Sequence, residues 1–186
     1  METSLHRQLK AHYALDPDQC EVQLGRYRID AVVKDELIEI QHGSLAAIRD
    51  KVRELLDGHK VRIVKPIVRR KQLVRFDNKN GRVVGRRKSP KRGTLLDAFE
   101  ELVYCTRLFP HRRLTIELAL VDIEELRYPG HGRRRRWRKR DFQIQDQQLV
   151  EVHETVALRT RADLRKLLGV DVPQPFDTAE LARRLE

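Results

Sequence analysis

Two acids and one amide occur at a regular spacing in the stretch GRYRIDAVVKDELIEIQHGS. If Lys34 and Asp35 form a two-residue turn between two strands, Asp30 lies directly opposite Glu39 and both point to the same face. Gln41 joins that face, because side chains alternate along a strand. A three-residue turn would shift the register by one residue and separate the acids. The spacing therefore predicts a polar cluster whose existence depends on the turn.

Two facing carboxylates repel each other unless a positive charge lies between them. Mg²⁺ suits that position, because it prefers oxygen ligands and is commonly held by one or two carboxylates together with substrate phosphate. Such an ion polarises a phosphodiester and lowers the pKa of an attacking water. The pattern thus indicates metal-dependent phosphodiester chemistry, while a solvated strand face carrying two unrelated acids remains the alternative.

The surrounding elements predict an α/β fold in which a mixed central sheet is flanked by helices. Apolar residues four apart mark a helix over residues 2–14, and apolar runs predict strands on both sides of the turn. A second helix is expected to start at a cap on Ser44 and to end at Gly58. The apolar run HKVRIVKPI then predicts a buried strand.

Asp30, eight intervening residues and the sequence Glu39-Ile40-Gln41 resemble the core of the PD-(D/E)xK nuclease superfamily. Ile29 replaces the leading proline of that pattern, and Gln41 replaces its lysine. The sequence is most similar to the competence protein CoiA-like group, because Glu2, His6 and Lys10 precede the acidic strand and the IEIQHGS motif in that group's order. The likeness covers residues 1–67 and implies a restriction-endonuclease-like core from a bacterial protein.

The resemblance implies that Asp30 and Glu39 bind Mg²⁺ or Mn²⁺ and that Gln41 is a third catalytic residue, which orients water. A neutral amide lacks the positive charge of the usual lysine, so the catalytic rate is in question more than metal binding. His6 and His42 lie near the acids in sequence and could contact substrate. Further candidate site residues are Glu2, Glu21, Lys10 and Lys51.

The formal net charge of +11 and the isoelectric point near 10 predict a polyanionic partner, DNA more than RNA. Seven of the eight residues 133–140 are basic, a density suited to phosphate contacts. Trp137 among them could stack on an unpaired base, or pack on the sheet. No base-reading motif is present, so little sequence specificity is expected. The predicted nucleic-acid-binding residues are Arg69, Arg70, Lys71, Arg86, Arg87, Lys88, Arg133, Arg134, Arg135, Arg136, Trp137 and Arg138.

The chain divides into a nuclease-like core (1–67), a basic extension that completes or abuts it (68–158), and a tail of two short helices (159–186). Within the extension, the Asn80-Gly81 turn predicts a hairpin, and the run TLLDAFEELVYCTRLF predicts one amphipathic helix, with strands after it. The tail resembles the first helix of a winged-helix domain, which suggests a piece of a longer protein. No apolar run is long enough to cross a membrane and no signal peptide is evident, so we expect a cytoplasmic protein. The two cysteines fit no zinc spacing. A homodimer is compatible with the sequence but not indicated by it.

Three functions fit these observations. The first is a metal-dependent nuclease that cleaves nucleic acid, most readily DNA. The second is an adaptor with the same fold, in which the glutamine at position 41 has abolished or weakened catalysis. The third is a basic RNA-binding protein in which the acids are incidental. The sequence does not distinguish single-stranded from double-stranded substrates, or cleavage at ends from internal cleavage.

Overall fold

In the described part of the chain, seven strands form one mixed sheet flanked by helices, as expected for an α/β protein. The computed structural model describes residues 3–14, 16–130, 141–169, 175 and 177–185. The strands are β1 (Cys20–Leu24), β2 (Tyr27–Val33), β3 (Glu36–Ile40), β4 (Lys60–Phe76), β5 (Val83–Lys88), β6 (Leu114–Pro129) and β7 (Phe142–Leu158). The helices are α1 (Ser4–Tyr13), α2 (Arg49–Leu55), α3 (Phe99–Leu102), α4 (Arg161–Leu167) and α5 (Thr178–Leu185).

The strands follow the order β1-β2-β3-β4-β6-β7, and β5 pairs with the outer part of β4. Strands β1, β2 and β3 form an antiparallel meander. Helix α2 then returns the chain so that β4 runs parallel to β3, and a second crossover makes β6 parallel to β4. The remaining pairs, β4–β5 and β6–β7, are antiparallel.

Apolar clusters cover both faces of the sheet, which is why the central strands are rich in aliphatic residues. On one face α1 contributes the fully buried Leu5 and Leu9, which share a cluster with Ile38 and Ile40 of β3. On the other face Val52 of α2 lies in a cluster with residues of β3, β4 and β6. The catalytic candidates lie where helices α1 and α2 approach β2 and β3.

The predicted turn between β2 and β3 is confirmed. Val33 pairs with Glu36 and Ala31 pairs with Ile38, which leaves two residues in the turn. The first of them, Lys34, has a left-handed backbone with φ of 54°. The pairing ends at Ala31 and Ile38, and beyond it the Asp30 side chain accepts a hydrogen bond from the N–H of Ile40.

Strand β4 is longer than the sequence suggests, because its 17 residues continue through Pro66. The proposed division between core and extension at residue 67 therefore falls within one strand, and the extension continues the core sheet. Residues 95–105, expected to lie in one long amphipathic helix, form short 3₁₀ segments on either side of the four-residue α3.

The outer half of β4 and β5 form the hairpin expected around Asn80 and Gly81, and Asn80 has φ of 61°. Both short tail helices are present, and Asp177 caps α5 by accepting a hydrogen bond from the N–H of Glu180 at 2.7 Å. Cys105 is buried, and both cysteines are free thiols. No helix within the described ranges is long and apolar enough to span a bilayer.

Candidate active site

Three acidic residues lie side by side across the antiparallel meander. The pairs on either side of position 21 bring Glu21 of β1 near Asp30 of β2, and Asp30 and Glu39 are the next residues beyond the last β2–β3 pair, Ala31 with Ile38. We call Glu21, Asp30 and Glu39 the carboxylate row. Glu21 has φ of 57°, in the left-handed region that residues other than glycine rarely adopt. Such strain is often found at functional sites.

Asp30 interacts with both α1 and β3. Its Oδ1 lies 3.1 Å from Nε2 of His6, and its Oδ2 accepts a hydrogen bond from the N–H of Ile40 at 2.8 Å. Burial acts to raise the pKa of Asp30, but contact with His6 and the Ile40 N–H outweighs it and lowers the pKa below its usual value. Asp30 is therefore fixed in position and ionised at neutral pH.

Glu39 is only 4% exposed and points towards α2. Its Oε1 lies 2.6 Å from the Nζ of Lys51, yet receives no hydrogen bond of good geometry from the described residues. Burial raises the pKa of Glu39, and the negative charge of Asp30 adds to this effect, while Lys51 opposes it. The pKa values of Asp30 and Glu39 are thus displaced in opposite directions.

Basic side chains from the two helices lie at the ends of the carboxylate row. Lys10 of α1, 5% exposed, forms an ion pair with Glu21, which Arg28 also contacts. The hydrogen bond from Lys10 lowers the pKa of Glu21. At the other end Lys51 of α2 also donates to the carbonyl oxygen of Arg28 at 2.6 Å. The structure therefore brings together five of the predicted residues: Lys10, Glu21, Asp30, Glu39 and Lys51.

Gln41 lies just beyond Glu39, but its amide nitrogen donates to the carbonyl oxygen of Ser44 at 2.8 Å. Among the described residues no hydrogen bond connects it to Asp30 or Glu39. Its backbone N–H donates to the carbonyl oxygen of Val64 at 2.9 Å, which fixes the end of β3 against β4. Gln41 thus shapes the turn that follows the site.

Lys65 is a site residue that the sequence reasoning missed. It follows Val64, whose carbonyl oxygen accepts from the N–H of Gln41, and its Nζ donates to the carbonyl oxygens of His42, at 3.1 Å, and Gly43. It is 7% exposed, and burial lowers the pKa of its ammonium group. The available signal was a lone lysine in the apolar run HKVRIVKPI. Lys65 anchors the turn next to the carboxylate row.

The predicted nucleic-acid-binding residues that the structure describes fall into two groups. Arg69 forms a two-point ion pair with Asp122, at 2.8 and 2.5 Å. Two more basic side chains pair with nearby acids of β6: Lys71 with Glu125 at 2.8 Å, and Arg86 with Glu124 at 2.9 Å. The second group is exposed and consists of Arg70, Arg87 and Lys88. This second group forms no ion pair with the described residues, and Arg86, although paired with Glu124, is exposed as well.

Several predicted residues lie outside the described part of the chain. These are Glu2, Arg133, Arg134, Arg135, Arg136, Trp137 and Arg138. Their proposed roles in the site and in nucleic-acid binding stay predictions.

The donor set suits a divalent cation that keeps much of its water. Among the described residues no cluster of three or more His, Cys, Asp or Glu side chains has the geometry of a metal site. Mg²⁺ needs fewer protein ligands, since one or two carboxylates plus substrate phosphate suffice. The buried Oε1 of Glu39, which lacks a well-formed hydrogen bond, is the atom in the carboxylate row that such an ion would satisfy.

Comparison with known proteins identifies a family. The model of the family described as "Domain of unknown function (DUF8091)" matches residues 3–159. The chain is also 30% identical to an "Uncharacterized protein" of Treponema pallidum (strain Nichols) over 183 residues, which covers 98% of this chain and 72% of the relative. No solved structure matches the chain.

Proposed function

Since the chain belongs to the DUF8091 family, a domain of unknown function, we propose its activity from the site: metal-dependent cleavage of nucleic-acid phosphodiester bonds. DNA is the favoured substrate, and little sequence specificity is expected. The observation that carries the proposal is the carboxylate row, set between a lysine from α1 and a lysine from α2. In this arrangement Lys10 and Glu39 are 5% and 4% exposed, and Glu39 is held beside a second acid, Asp30.

The topology supports the finer assignment to a restriction-endonuclease-like core. Helix α1, the meander β1–β3, helix α2 and the parallel strand β4 follow one another in that order. This order is compatible with the core that the PD-(D/E)xK resemblance implies. In that assignment Asp30 and Glu39 project from adjacent central strands, and the helices supply the surrounding charged groups.

Each site residue then has a distinct task. Asp30 and Glu39 would hold Mg²⁺ or Mn²⁺, which supplies Lewis-acid activation of the phosphodiester and of water. His6 holds the Asp30 carboxylate in place. Lys51 supplies the positive charge that the amide of Gln41 cannot, and its Nζ is held by Glu39 and the Arg28 carbonyl oxygen. Fixed charges of this kind stabilise the developing charge of a transition state.

The proposal is tested by cleavage of single-stranded and double-stranded DNA with Mg²⁺, Mn²⁺, Ca²⁺ or chelator. Asp30→Asn and Glu39→Gln should abolish cleavage in Mg²⁺ or Mn²⁺ while DNA binding persists or tightens, because a negative charge facing phosphate is removed. The matched control is Asp50→Asn, an exposed acid on α2 beside Lys51. Equal loss in all three variants, or cleavage that persists in chelator, would refute the metal assignment.

A second candidate, a nucleic-acid-binding adaptor without catalysis, is favoured by one specific observation. Lys51 already neutralises Glu39, and Gln41 donates to the turn at Ser44. An internal ion pair of this kind reduces the attraction for a metal ion. The variant Gln41→Lys separates the two functions, because it restores the charge that the superfamily normally uses. An active enzyme should keep or increase its rate, whereas an adaptor should cleave only after this change.

A matching set of RNA substrates tests the third possibility, a basic RNA-binding protein. Suppose that the wild type and Gln41→Lys cleave neither nucleic acid, and that Asp30→Asn binds Mg²⁺ as well as the wild type. Both the nuclease and the adaptor with a nuclease fold are then ruled out. Binding to RNA alone, with affinity that falls steeply as salt rises, would then identify the protein as an RNA binder.

A further inference from the structure

A cavity of about 630 Å³ lies along β4, well away from the carboxylate row, where β4, β5, β6 and the start of β7 meet. Its volume falls within the range of small-ligand pockets, about 300–1,000 Å³. The described lining includes one acid, Asp141, alongside basic and aromatic side chains: Arg75, Arg87, Arg127, Phe76, Tyr128 and Phe142. Basic groups and flat rings are the two components that recognise a nucleotide.

The arginines are placed where their charges repel. Arg75 of β4 and Arg127 of β6 are register partners in a parallel pair, and Arg87 of β5 lines the same cavity. Like charges at paired positions destabilise a sheet. Glu125 compensates Arg127, but Arg75 and Arg87 are exposed and form no ion pair with the described residues. An anion in the cavity would relieve this repulsion.

The aromatic rings that line the cavity are held in place by polar contacts. The guanidinium carbon of Arg127 lies 3.9 Å from the centre of the Phe142 ring, and the ion pair with Glu125 holds that guanidinium in place. The hydroxyl of Tyr128 donates to Oε1 of Gln143 at 2.5 Å, which fixes the phenol ring. Flat, fixed π surfaces bind bases by stacking with little loss of side-chain entropy.

We propose that this cavity binds one unpaired nucleotide of a nucleic-acid strand. Arg75 and Arg87 bind its phosphate, and its base stacks against the Arg127–Phe142 pair. The shared chemistry is a nucleoside monophosphate unit, whether free or within a strand. The site goes beyond the proposed cleavage, because it requires neither a metal ion nor the carboxylate row.

The position of the cavity favours a nucleotide within a strand. Glu39 pairs with Ile63 of β4, and Arg75 lies twelve residues further along the same strand. At about 3.3 Å per residue this separation is about 40 Å, close to one turn of duplex DNA at about 34 Å. One bound nucleic acid can therefore reach the carboxylate row and place an unpaired nucleotide in the cavity.

The test uses the full chain in chelator, so that cleavage plays no part. The probes are a blunt duplex, the same duplex with a single-stranded overhang that carries a fluorescent adenine analogue, and adenosine monophosphate. Anisotropy measures affinity, and quenching of the analogue reports stacking. The variants are Arg75→Ala, Arg87→Ala and Phe142→Leu. Arg112→Ala, an exposed arginine near the start of β6, is the matched control.

We expect the overhang to bind more tightly than the blunt duplex. Arg75→Ala or Arg87→Ala should reduce the ratio of the two affinities about tenfold. Phe142→Leu should lose quenching, while Arg112→Ala keeps both preference and quenching. Adenosine monophosphate that binds as tightly as the overhang would identify a free nucleotide as the ligand. The proposal is overturned if the overhang has no advantage and the mononucleotide does not bind, or if Arg112→Ala has the same effect as Arg75→Ala.

Discussion

Adjacent glutamates on β6 provide a direct test of whether the basic residues of β4 serve the fold or a ligand. Glu125 is 1% exposed and contacts Lys71, Arg127 and Gln147. Its neighbour Glu124 pairs with Arg86 at the surface. Glu124→Gln and Glu125→Gln remove the same charge from the same strand, so only the surroundings of the two carboxylates differ.

The structure gives the magnitude. Removing one partner of a buried ion pair typically costs about 3–5 kcal/mol. Lys71 and Arg127 are 25% and 19% exposed, and the new amide keeps part of the hydrogen bonding, so we expect about 2–3 kcal/mol for Glu125→Gln. For a chain of this size that lowers the Tm by roughly 4–12 °C. Glu124→Gln should cost less than about 1 kcal/mol, because both members of its pair with Arg86 are partly solvated.

Thermal and urea unfolding, followed by circular dichroism, measure the two costs. Equal shifts for Glu124→Gln and Glu125→Gln would refute the distinction between a buried and a surface pair. A negligible effect of Glu125→Gln would release Lys71 for phosphate binding, as the sequence originally suggested. The expected result assigns Lys71 to the fold.

Three further predictions follow from the same contacts. Lys51→Met should reduce cleavage about a hundredfold and Lys51→Arg should recover part of the rate; an unchanged rate in nuclease kinetics contradicts this role. Arg70→Ala should reduce the slope of log affinity against log salt by about one, whereas Arg69→Ala should lower the Tm and leave that slope unchanged. Contact with Arg69 lowers the pKa of Asp122, and the bonds to Glu125 lower its pKa despite burial. Their contribution to stability is therefore complete above the usual values of 3.8 and 4.5 and is lost as the pH falls through the lowered values. Urea unfolding across acidic pH checks this, and an acid slope in Glu125→Gln as steep as in the wild type would contradict it.

The local geometry of the carboxylate row followed from the sequence, because strand alternation and turn length are short-range properties. A two-residue turn at Lys34 and Asp35 fixes which residues of β2 and β3 face each other. The burial of Ile38 and Ile40 followed from the same alternation, and each is 3% exposed. The left-handed backbone of Glu21 has no signal in the strand pattern, and its side chain pairs with Lys10 of α1, eleven residues away.

The length of β4 was missed because Pro66 suggests the end of a central strand. In the fold, the recorded β3 pairing ends at Val64 and the β5 pairing begins at Gln72, so Pro66 pairs only with β6. The missing N–H therefore need not remove a ladder hydrogen bond. The partner that tolerates this proline, β6, starts almost fifty residues later, beyond the reach of local patterns.

The basic run at residues 69–71 could not be interpreted without its neighbours in space. Parallel pairing brings it beside the acidic run 122–125 of β6, which lies more than fifty residues away in sequence. Arg69 and Lys71 consequently neutralise acids, whereas Arg70 remains exposed. Charge density alone assigned Arg69, Arg70 and Lys71 to phosphate binding, and the cross-strand register shows that two of them pair with acids.

Two buried glutamates differ in the direction of their pKa shifts, one in the proposed site and one in the scaffold. Burial acts to raise the pKa of Glu125, yet the bonds from Lys71, Gln147 and Arg127 hold it below its usual value. Burial raises the pKa of Glu39, and Lys51 does not fully offset that effect. Glu125 is thus a satisfied carboxylate that stabilises the fold in its charged form. In the proposed site, Glu39 is held beside a second acid with its Oε1 2.6 Å from the Nζ of Lys51, and a metal ion would share that carboxylate with the ammonium group.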